Sequence, residues 1–368
     1  MPTVLMAGGG TGGHIFPGIA IARELVERVP RCEVLFVGTR RGLESRIVPA
    51  EGFRLLTIDS AGITGKRIAA RLKGLALLPL SLVQSMRLIG RTQPSLVVGV
   101  GGYASGPVMA AAVLRRVPTL IHEQNYVPGA TNRWMAPFVS KVVVTFEETI
   151  ARLGGRGVAL GNPVRRDFAL VKPRPPAGAA RRLLVFGGSQ GSRALNNAMV
   201  EALPGLAAMR GALQITHQTG EAEHAAVEAS YRAAGLKGED CEVRPFISGM
   251  SRAFEDADLI VCRSGATTVA ELTAAGRPAV LIPFAGATHD HQTFNARKLT
   301  DAGAAVMIAE RDLTGALLAR TVRELLGDPG RLDRMARASR LLGRPDAAAR
   351  IADLCVALMA PAAHGQAT

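Results

Sequence analysis

MAGGGTGGHIFPG, residues 6–18, gathers five glycines around one threonine and sets a histidine directly after them. Residues 4–7 before it form a short apolar run of buried-strand length. Residues 17–26 after it carry apolar side chains at helical spacing, and Pro17 is tolerated in a first helical turn. The stretch therefore predicts a strand, a glycine-rich turn and a helix. Glycine lets backbone N–H groups come close to a ligand, and a helix N-terminus attracts anions, so the expected guest is a phosphate or diphosphate. A tight turn without a ligand shares this local pattern, and the rest of the chain has to decide.

The pattern returns downstream. RRLLVFGGSQGSRALNNAMVEAL (181–203) is again a strand, a glycine-rich turn and a helix, and DLIVCRSGATTVAELTAAGRPAVLIPF (258–284) is a strand, a Ser-Gly turn, a helix and a strand. Runs at 34–37, 96–100, 119–121 and 142–144 are apolar on both faces, as a parallel sheet covered by helices requires. The pattern breaks at Gly161-Asn162-Pro163, and KPRPPAGAARR (172–182) reads as a linker. The sequence thus predicts an α/β chain of two doubly wound, Rossmann-like domains, 1–163 and 183–343, joined by 164–182. Their ligand loops are expected at the carboxyl ends of the strands.

A chain of 368 residues is long enough for two cores, and a 48% hydrophobic fraction argues against disorder. The four cysteines, Cys32, Cys241, Cys262 and Cys355, lack metal-like spacing and read as reduced thiols. No leader pattern precedes the first strand and no apolar run is long enough to span a bilayer, which predicts a cytoplasmic location. The net charge is +14; residues 1–160 carry 19 Lys/Arg against 9 Asp/Glu, and the remainder 25 against 21. The N-terminal half is therefore the one expected to meet something anionic. Aromatic residues make up only 4% and no nucleic-acid signature is present, so an anionic membrane surface is expected rather than nucleic acid.

A glycine-rich first turn also suits a dinucleotide, but the second strand ends Gly38-Thr39-Arg40-Arg41 with no acidic residue to hold a ribose. Two similar domains with facing glycine loops suit a donor in one and an acceptor in the other. At this point seven motifs matter: GGGTGGHIFPG (8–18), GGYASGP (101–107), HEQN (122–125), GNPVR (161–165), GGSQGS (187–192), RSGATTVAEL (263–272) and HQTFNA (291–296). In order and spacing they resemble the MurG family, the UDP-N-acetylglucosamine (UDP-GlcNAc) transferases that convert lipid I to lipid II in bacterial peptidoglycan synthesis. The resemblance covers nearly the whole chain. It implies the GT-B glycosyltransferase fold, an inverting transfer and a final helix, 344–360, that crosses back onto the N-terminal domain.

The resemblance also implies roles. Ser189, Ile247, Ala266, Thr267, Thr268, Glu271, Gln292, Asn125 and Arg165 match donor contacts, with Glu271 on the ribose hydroxyls, Ile247 at the uracil and Gln292 on the sugar. Thr11, Gly12 and Gly13 are counted with donor and acceptor contacts alike, and Tyr103 with the acceptor. His14 is the expected base for the 4-hydroxyl of N-acetylmuramic acid, a task that suits histidine near neutral pH; Glu123 is the competing base. Thr267 and His289 depart from the residues common in the family. No cofactor and no protein-bound metal are expected: Asp256-Ala257-Asp258 precedes a strand, at the wrong edge for a ligand, and His289-Asp290-His291 reads as a loop lining.

Residues 66–91, KRIAARLKGLALLPLSLVQSMRLIGR, hold six basic residues, Lys66, Arg67, Arg71, Lys73, Arg87 and Arg91, and no acidic one. Leu75, Leu77, Leu78 and Leu82 lie in or beside an apolar run too short to span a bilayer. The segment is expected to dock on the cytoplasmic face of the bacterial plasma membrane as a peripheral anchor; a buried core helix is the plain alternative. Lipid I and UDP-GlcNAc are the substrates that the resemblance implies, with cell-wall and division machinery as further partners. The rival readings are another GT-B enzyme with a soluble acceptor, a UDP-GlcNAc epimerase, or a non-catalytic membrane-docked sugar-nucleotide binding protein.

Overall fold

The computed structural model describes residues 1–60, 68–173, 180–209, 211–236, 238–287 and 290–360, with backbone alone at 68–75 and 239. The chain divides into two units, Met1–Arg165 with the segment from Asp346 onward, and Arg166–Pro345.

In the first unit β1 (Thr3–Gly8), β2 (Glu33–Gly38), β3 (Arg54–Thr57), β4 (Leu96–Gly101), β5 (Thr119–Glu123), β6 (Lys141–Val144) and β7 (Val158–Ala159) form one sheet in the order 3-2-1-4-5-6-7. In the second, β8 (Arg181–Phe186), β9 (Leu213–Gln218), β10 (Cys241–Arg244), β11 (Leu259–Cys262), β12 (Ala279–Leu281) and β13 (Ala305–Met307) follow the order 10-9-8-11-12-13. Every pairing is parallel. Both sheets reverse direction beside their first strand, between β1 and β4 and between β8 and β11. Such a switch point leaves a crevice at the carboxyl ends, where doubly wound sheets bind ligands.

Strand alternation explains the cores. Val4 and Met6 of β1 point to one face, where they meet Ile15, Ile19 and Leu25 of the helix Gly12–Arg28 and Ile351 and Cys355 of the helix Ala347–Met359. Leu5 and Ala7 point to the other, packed with Ile89, Val108, Met109 and Ala136. The second sheet is covered in the same way, on one face by the helices Arg193–Leu206 and Gly315–Leu326 and on the other by Ala266–Ala275 and His291–Asp301. The last helix thus belongs to the first unit, where Arg28 donates to Ala349 O at 3.1 Å.

The linker is shorter than the 164–182 expected. Phe168 is fully buried edge-on against Phe254, ring centroids 5.0 Å apart, and Val171 joins the same core, so the second unit starts at Arg166 and its first strand at Arg181. A Pro/Ala/Arg-rich composition hid the two apolar anchors. Residues 174–179 of that stretch lie outside the described residues.

Candidate functional site

The turn after β1 is built on glycine because its backbone runs against other groups. Gly9 and Gly10 have φ of 158° and 90°, and a Cβ on Gly102 would sit 2.2 Å from Gly9 O. The turn after β4 is therefore in backbone contact with the turn after β1. Beneath both lies a side chain that sequence reading missed. Glu44, 1% exposed, accepts from Gly10 N and from Thr39 N and Oγ1, each at 2.8 Å. Gly9, Gly38 and Gly42 make room for it, since a Cβ on any of them would fall within 2.5 Å of its atoms.

His14 stands in the first turn of the helix Gly12–Arg28, and its ring lies against Gly101, where a Cβ would come 2.9 Å from Cδ2. Nδ1 is 3.3 Å from Gly9 O and 3.3 Å from Thr11 Oγ1. A carbonyl can only accept, so in the neutral ring Nδ1 carries the proton and Nε2 the lone pair. Thr11 is the helix N-cap residue but makes no capping bond; its hydroxyl turns to His14 instead. Tyr103 is exposed and reaches over the turn, its ring edge 4.0 Å from the place of a Gly10 Cβ. Arg165 stacks on the Phe16 ring at 5.6 Å, beside Gly12. Thr11, Gly12, Gly13, His14, Tyr103 and Arg165 thus gather around one helix start.

Glu123 closes β5 and is buried. Its carboxylate accepts from Asn125 N at 3.0 Å, Gly129 N at 3.0 Å and Asn132 Nδ2 at 2.9 Å, with Asn125 Nδ2 at 3.5 Å. Burial raises its pKa, against the lowering effect of those bonds. A carboxylate so occupied holds the loop 124–129 and with it Asn125, and has little left to offer a substrate hydroxyl. Beside it, His122 is fully buried; Nε2 meets Gly161 O at 3.1 Å and Nδ1 meets Gln124 Nε2 at 3.2 Å. Desolvation pushes its pKa down to about 4, so it stays neutral.

In the second unit Gly191 (φ 77°) lets the turn after β8 press on the turn after β9, where a Cβ would fall 1.8 Å from Thr219 O. Ser189 is exposed at the tip. Ser192 caps the helix Arg193–Leu206 by accepting from Leu195 N at 3.4 Å. It also accepts from Arg263, Nε at 3.1 Å and Nη2 at 2.7 Å. Arg263, buried at the end of β11 and overlooked in the sequence, pairs through Nη1 with Glu310 at 2.7 Å. Burial opposes ionisation of Glu310, but the Ala285 N–H and Arg263 outweigh it and hold its carboxyl below the usual range.

The helix Ala266–Ala275 starts at this level, so its first-turn N–H groups, from Ala266, Thr267 and Thr268, face the switch point. Glu271 sits one turn further in and is buried. Ser264 Oγ donates to Gln292 O at 2.9 Å, and Phe284 N donates to Gln292 Oε1 at 3.0 Å, which leaves the Gln292 amide NH2 to point elsewhere. Ile247 N is bonded to Gln218 Oε1 at 2.8 Å, and Gln218 Nε2 to Gly188 O at 2.9 Å, so one glutamine ties the Ile247 loop to the glycine turn. At the opposite, amino-terminal edge of the sheet Asp256 pairs with the Arg182 guanidinium and Asp258 accepts from Arg182 N. Among the described residues no group of three His, Cys, Asp or Glu is placed to hold a metal ion, and His289 lies outside them.

The basic segment is the helix Ile68–Thr92, unbroken by Pro79. Leu82 corrects its expected role: helical spacing puts it with Met86 and Ile89 against the core. Among the described residues the large apolar side chains turned to solvent are Leu80 and Val83, with Leu77 and Leu78 half-buried. Arg87 and Arg91 are exposed. Lys66 and Arg67, and the side chains of Arg71, Lys73 and Leu75, lie outside the described residues. No described helix is long and apolar enough to cross a membrane.

Residues 4–144 match the glycosyltransferase family 28 N-terminal domain, and residues 182–351 the glycosyltransferase family 28 C-terminal domain. A curated relative from Anaeromyxobacter sp. (strain Fw109-5), a UDP-N-acetylglucosamine--N-acetylmuramyl-(pentapeptide) pyrophosphoryl-undecaprenol N-acetylglucosamine transferase, is 52% identical over 97% of this chain and 93% of its own length. The crystal structure of Acinetobacter baumannii MurG superposes with a TM-score of 0.78 at 33% identity, covering 96% of this chain and 99% of that one. A Listeria monocytogenes putative UDP-N-acetylglucosamine 2-epimerase shares the fold alone, with a TM-score of 0.69 at 13% identity over 97% and 96% of the two chains. Fold by itself therefore does not separate transferase from epimerase, but near-complete coverage at 52% identity does, and the chain belongs to the MurG family within glycosyltransferase family 28.

Proposed function

We infer that the chain transfers N-acetylglucosamine from UDP-GlcNAc to the 4-hydroxyl of N-acetylmuramic acid in undecaprenyl-pyrophosphoryl-MurNAc-pentapeptide, lipid I, giving lipid II. The observation that carries this reading is the shared sequence, half of all aligned positions with a curated transferase over nearly the whole chain.

The first unit is proposed to hold the acceptor. Its diphosphate lies at the helix start at Thr11, Gly12 and Gly13, with Tyr103 alongside, while Asn125 and Arg165 of the same unit are proposed to reach the donor. His14 Nε2 takes the proton of the 4-hydroxyl as that oxygen bonds to the anomeric carbon of the donor sugar, and the bond from that carbon to the UDP oxygen breaks with inversion. The Nδ1 contact with Gly9 O supports this role because it keeps the proton on Nδ1 and the lone pair on Nε2. Glu123, with its oxygens already bonded, is assigned to holding Asn125 rather than to the base. The second unit is proposed to hold UDP-GlcNAc through Ser189, the N–H groups at Ala266–Thr268, Glu271 on the ribose and Gln292 on the sugar. Those N–H groups are fixed dipoles where charge develops on the departing diphosphate, and they stabilise it without reorganising; no cofactor is required in this reading.

A polyprenyl acceptor stays in its bilayer, so the enzyme is proposed to work as a peripheral protein on the cytoplasmic face, with the helix Ile68–Thr92 against anionic lipid. Incubation with radiolabelled UDP-GlcNAc and lipid I tests the transfer. Label in the butanol-extractable lipid is expected; label that stays water-soluble, as free sugar or UDP-ManNAc, contradicts it and favours hydrolysis or epimerisation.

A further inference from the structure

A cavity of about 470 Å³ lies in the second unit, at the amino-terminal edge of its sheet. One side is formed by residues at the starts of three strands: Arg181 opens β8, Asp258 precedes β11, and Arg277 and Pro278 precede β12. The other side is one face of the helix Pro329–Leu342, where Pro329, Leu332, Asp333, Ala336, Arg337 and Arg340 recur at helical spacing. The contacts proposed for the donor stand at the opposite, carboxyl ends of these strands, so the cavity is a separate place. Its volume falls in the range of small-molecule sites.

Among the described residues four arginines line it against two aspartates. Arg340 is fitted closely. Gly276, in the left-handed conformation (φ 59°) at the end of the helix Ala266–Ala275, leaves room for it, since a Cβ there would fall 2.6 Å from Arg340 Nε. The Arg340 guanidinium donates to Ala274 O at 2.7 Å, Ala275 O at 3.0 Å and Val171 O at 3.1 Å. These bonds use three of its five donors and bring it no negative charge. Burial lowers its pKa, as it does for a cation held partly away from water. Arg277, which is buried, donates to Lys172 O at 2.7 Å and to Glu255 O at 3.1 Å. Arg181, Arg337 and Arg340 make no ion pair among the described residues. The acidic groups nearby are largely taken up elsewhere. Asp258 accepts from Arg182 N at 2.7 Å, and Asp256 pairs with Arg182 and Arg252. Glu255 pairs with Arg252, and Asp328 caps its own helix by accepting from Arg331 N at 2.8 Å. Asp333 is exposed.

We propose that this cavity binds a phosphate-bearing small molecule, at a site distinct from those proposed for the two substrates. Guanidinium groups match phosphate oxygens with paired donors, and several of them lining one cavity favour a group with more than one negative charge. Pro173, Pro278, Pro329 and Leu332 offer apolar surface to the body that carries the phosphate. An anion there also relieves the cost of holding the Arg340 charge partly away from water without a carboxylate.

The full chain, with UDP in excess to fill the proposed donor site, is titrated with inorganic pyrophosphate by calorimetry, and hydrogen exchange resolved by peptide locates the binding. Protection is expected over 276–281 and 329–342. R181E and R337E are each expected to weaken pyrophosphate binding by about tenfold, at unchanged melting temperature and unchanged affinity for UDP. R337K, which keeps the charge, is expected to stay within about threefold of the wild type. Absence of binding heat overturns the proposal. Protection confined to the glycine-rich turns 8–14 and 187–192 overturns it as well, and returns the anion to the sites proposed for the substrates. Binding that R181E and R337E leave unchanged does the same. If R181E melts early, R337E and the wild-type exchange pattern decide.

Discussion

The two glycine-rich first turns, 8–14 and 187–192, occupy equivalent places in their sheets and are braced by opposite charges. Behind the first lies a carboxylate, Glu44, bonded to Gly10 and Thr39. Behind the second lies a guanidinium, Arg263, bonded twice to Ser192. The helix caps differ too: Ser192 caps its helix, whereas Thr11 leaves its helix uncapped and turns to His14. The Arg263 charge is balanced by Glu310, so what it gives its helix start is a fixed position for the Ser192 hydroxyl. Glu44 fixes the loop geometry beside His14 through the backbone of Gly10 and Thr39. The same fold element is thus braced differently in the two units, by a hydroxyl tied to an ion pair in one and by a buried carboxylate in the other.

Removing Glu44 is expected to have the largest effect. Glu44→Ala leaves three half-buried donors without their acceptor and opens a void, at a cost on the order of 3 kcal/mol to the first unit. Hydrogen exchange resolved by peptide should show β1, β2 and β4 losing protection while β8 and β11 keep theirs. Equal loss in both units would mean that Glu44 is not a local brace.

Acid sharpens the contrast next. His217 is buried in β9 and kept neutral by desolvation, with a pKa pushed down to about 3, as His122 is at about 4 in the first unit. A depressed histidine lets the unfolded chain bind protons that the native state refuses, so stability falls as pH drops below about 6.5, by roughly 2 kcal/mol for each at pH 5. In the first unit the raised pKa of Glu123 works in the opposite sense, since the folded state binds that proton more readily than the unfolded one. The second unit should therefore open first between pH 7 and pH 5, as read by exchange corrected for intrinsic rate. Earlier opening of the first unit would contradict this.

How much of this was legible in the sequence follows from range. Periodicity gave both sheets, and the glycine spacing gave both turns, because those signals are local. The tandem repeat also led to the expectation of ligand loops at the carboxyl ends of the strands in both units. Glu44 and Arg263 were not legible: each acts on a turn tens of residues away, and a Glu or Arg in sequence carries no mark of its burial. The outward face of the helix Ile68–Thr92 was misread for a related reason. An apolar run interrupted only by Ser81 hides which side meets the core, and Leu82 turned inward while Leu80 and Val83 turned out. Glu123 was expected as the competing base, and its bonds to Asn125, Gly129 and Asn132 weigh for a brace instead.

The smallest effect distinguishes the caps. Ser192→Ala removes the cap on Leu195 N and the acceptor of two Arg263 donors, and should destabilise the second unit by about 2 kcal/mol. Thr11→Ala removes no cap and should cost the first unit less than about 0.5 kcal/mol. Urea melts followed by the same exchange probe compare them, and similar losses would erase the difference between the turns.

The proposed division of labour is tested most directly by steady-state kinetics of His14→Ala and Glu271→Ala with lipid I and UDP-GlcNAc varied in turn. His14→Ala should lower kcat by about a hundredfold or more and leave the KM for UDP-GlcNAc near the wild-type value. Glu271→Ala should raise the KM for UDP-GlcNAc, through the loss of two ribose bonds to a charged acceptor at about 1.5–3 kcal/mol each, and leave the KM for lipid I unchanged. If His14→Ala instead raises only the KM for lipid I while kcat holds, or Glu271→Ala leaves the UDP-GlcNAc KM unchanged, the assignment of the base to the first turn or of the donor to the second unit is wrong.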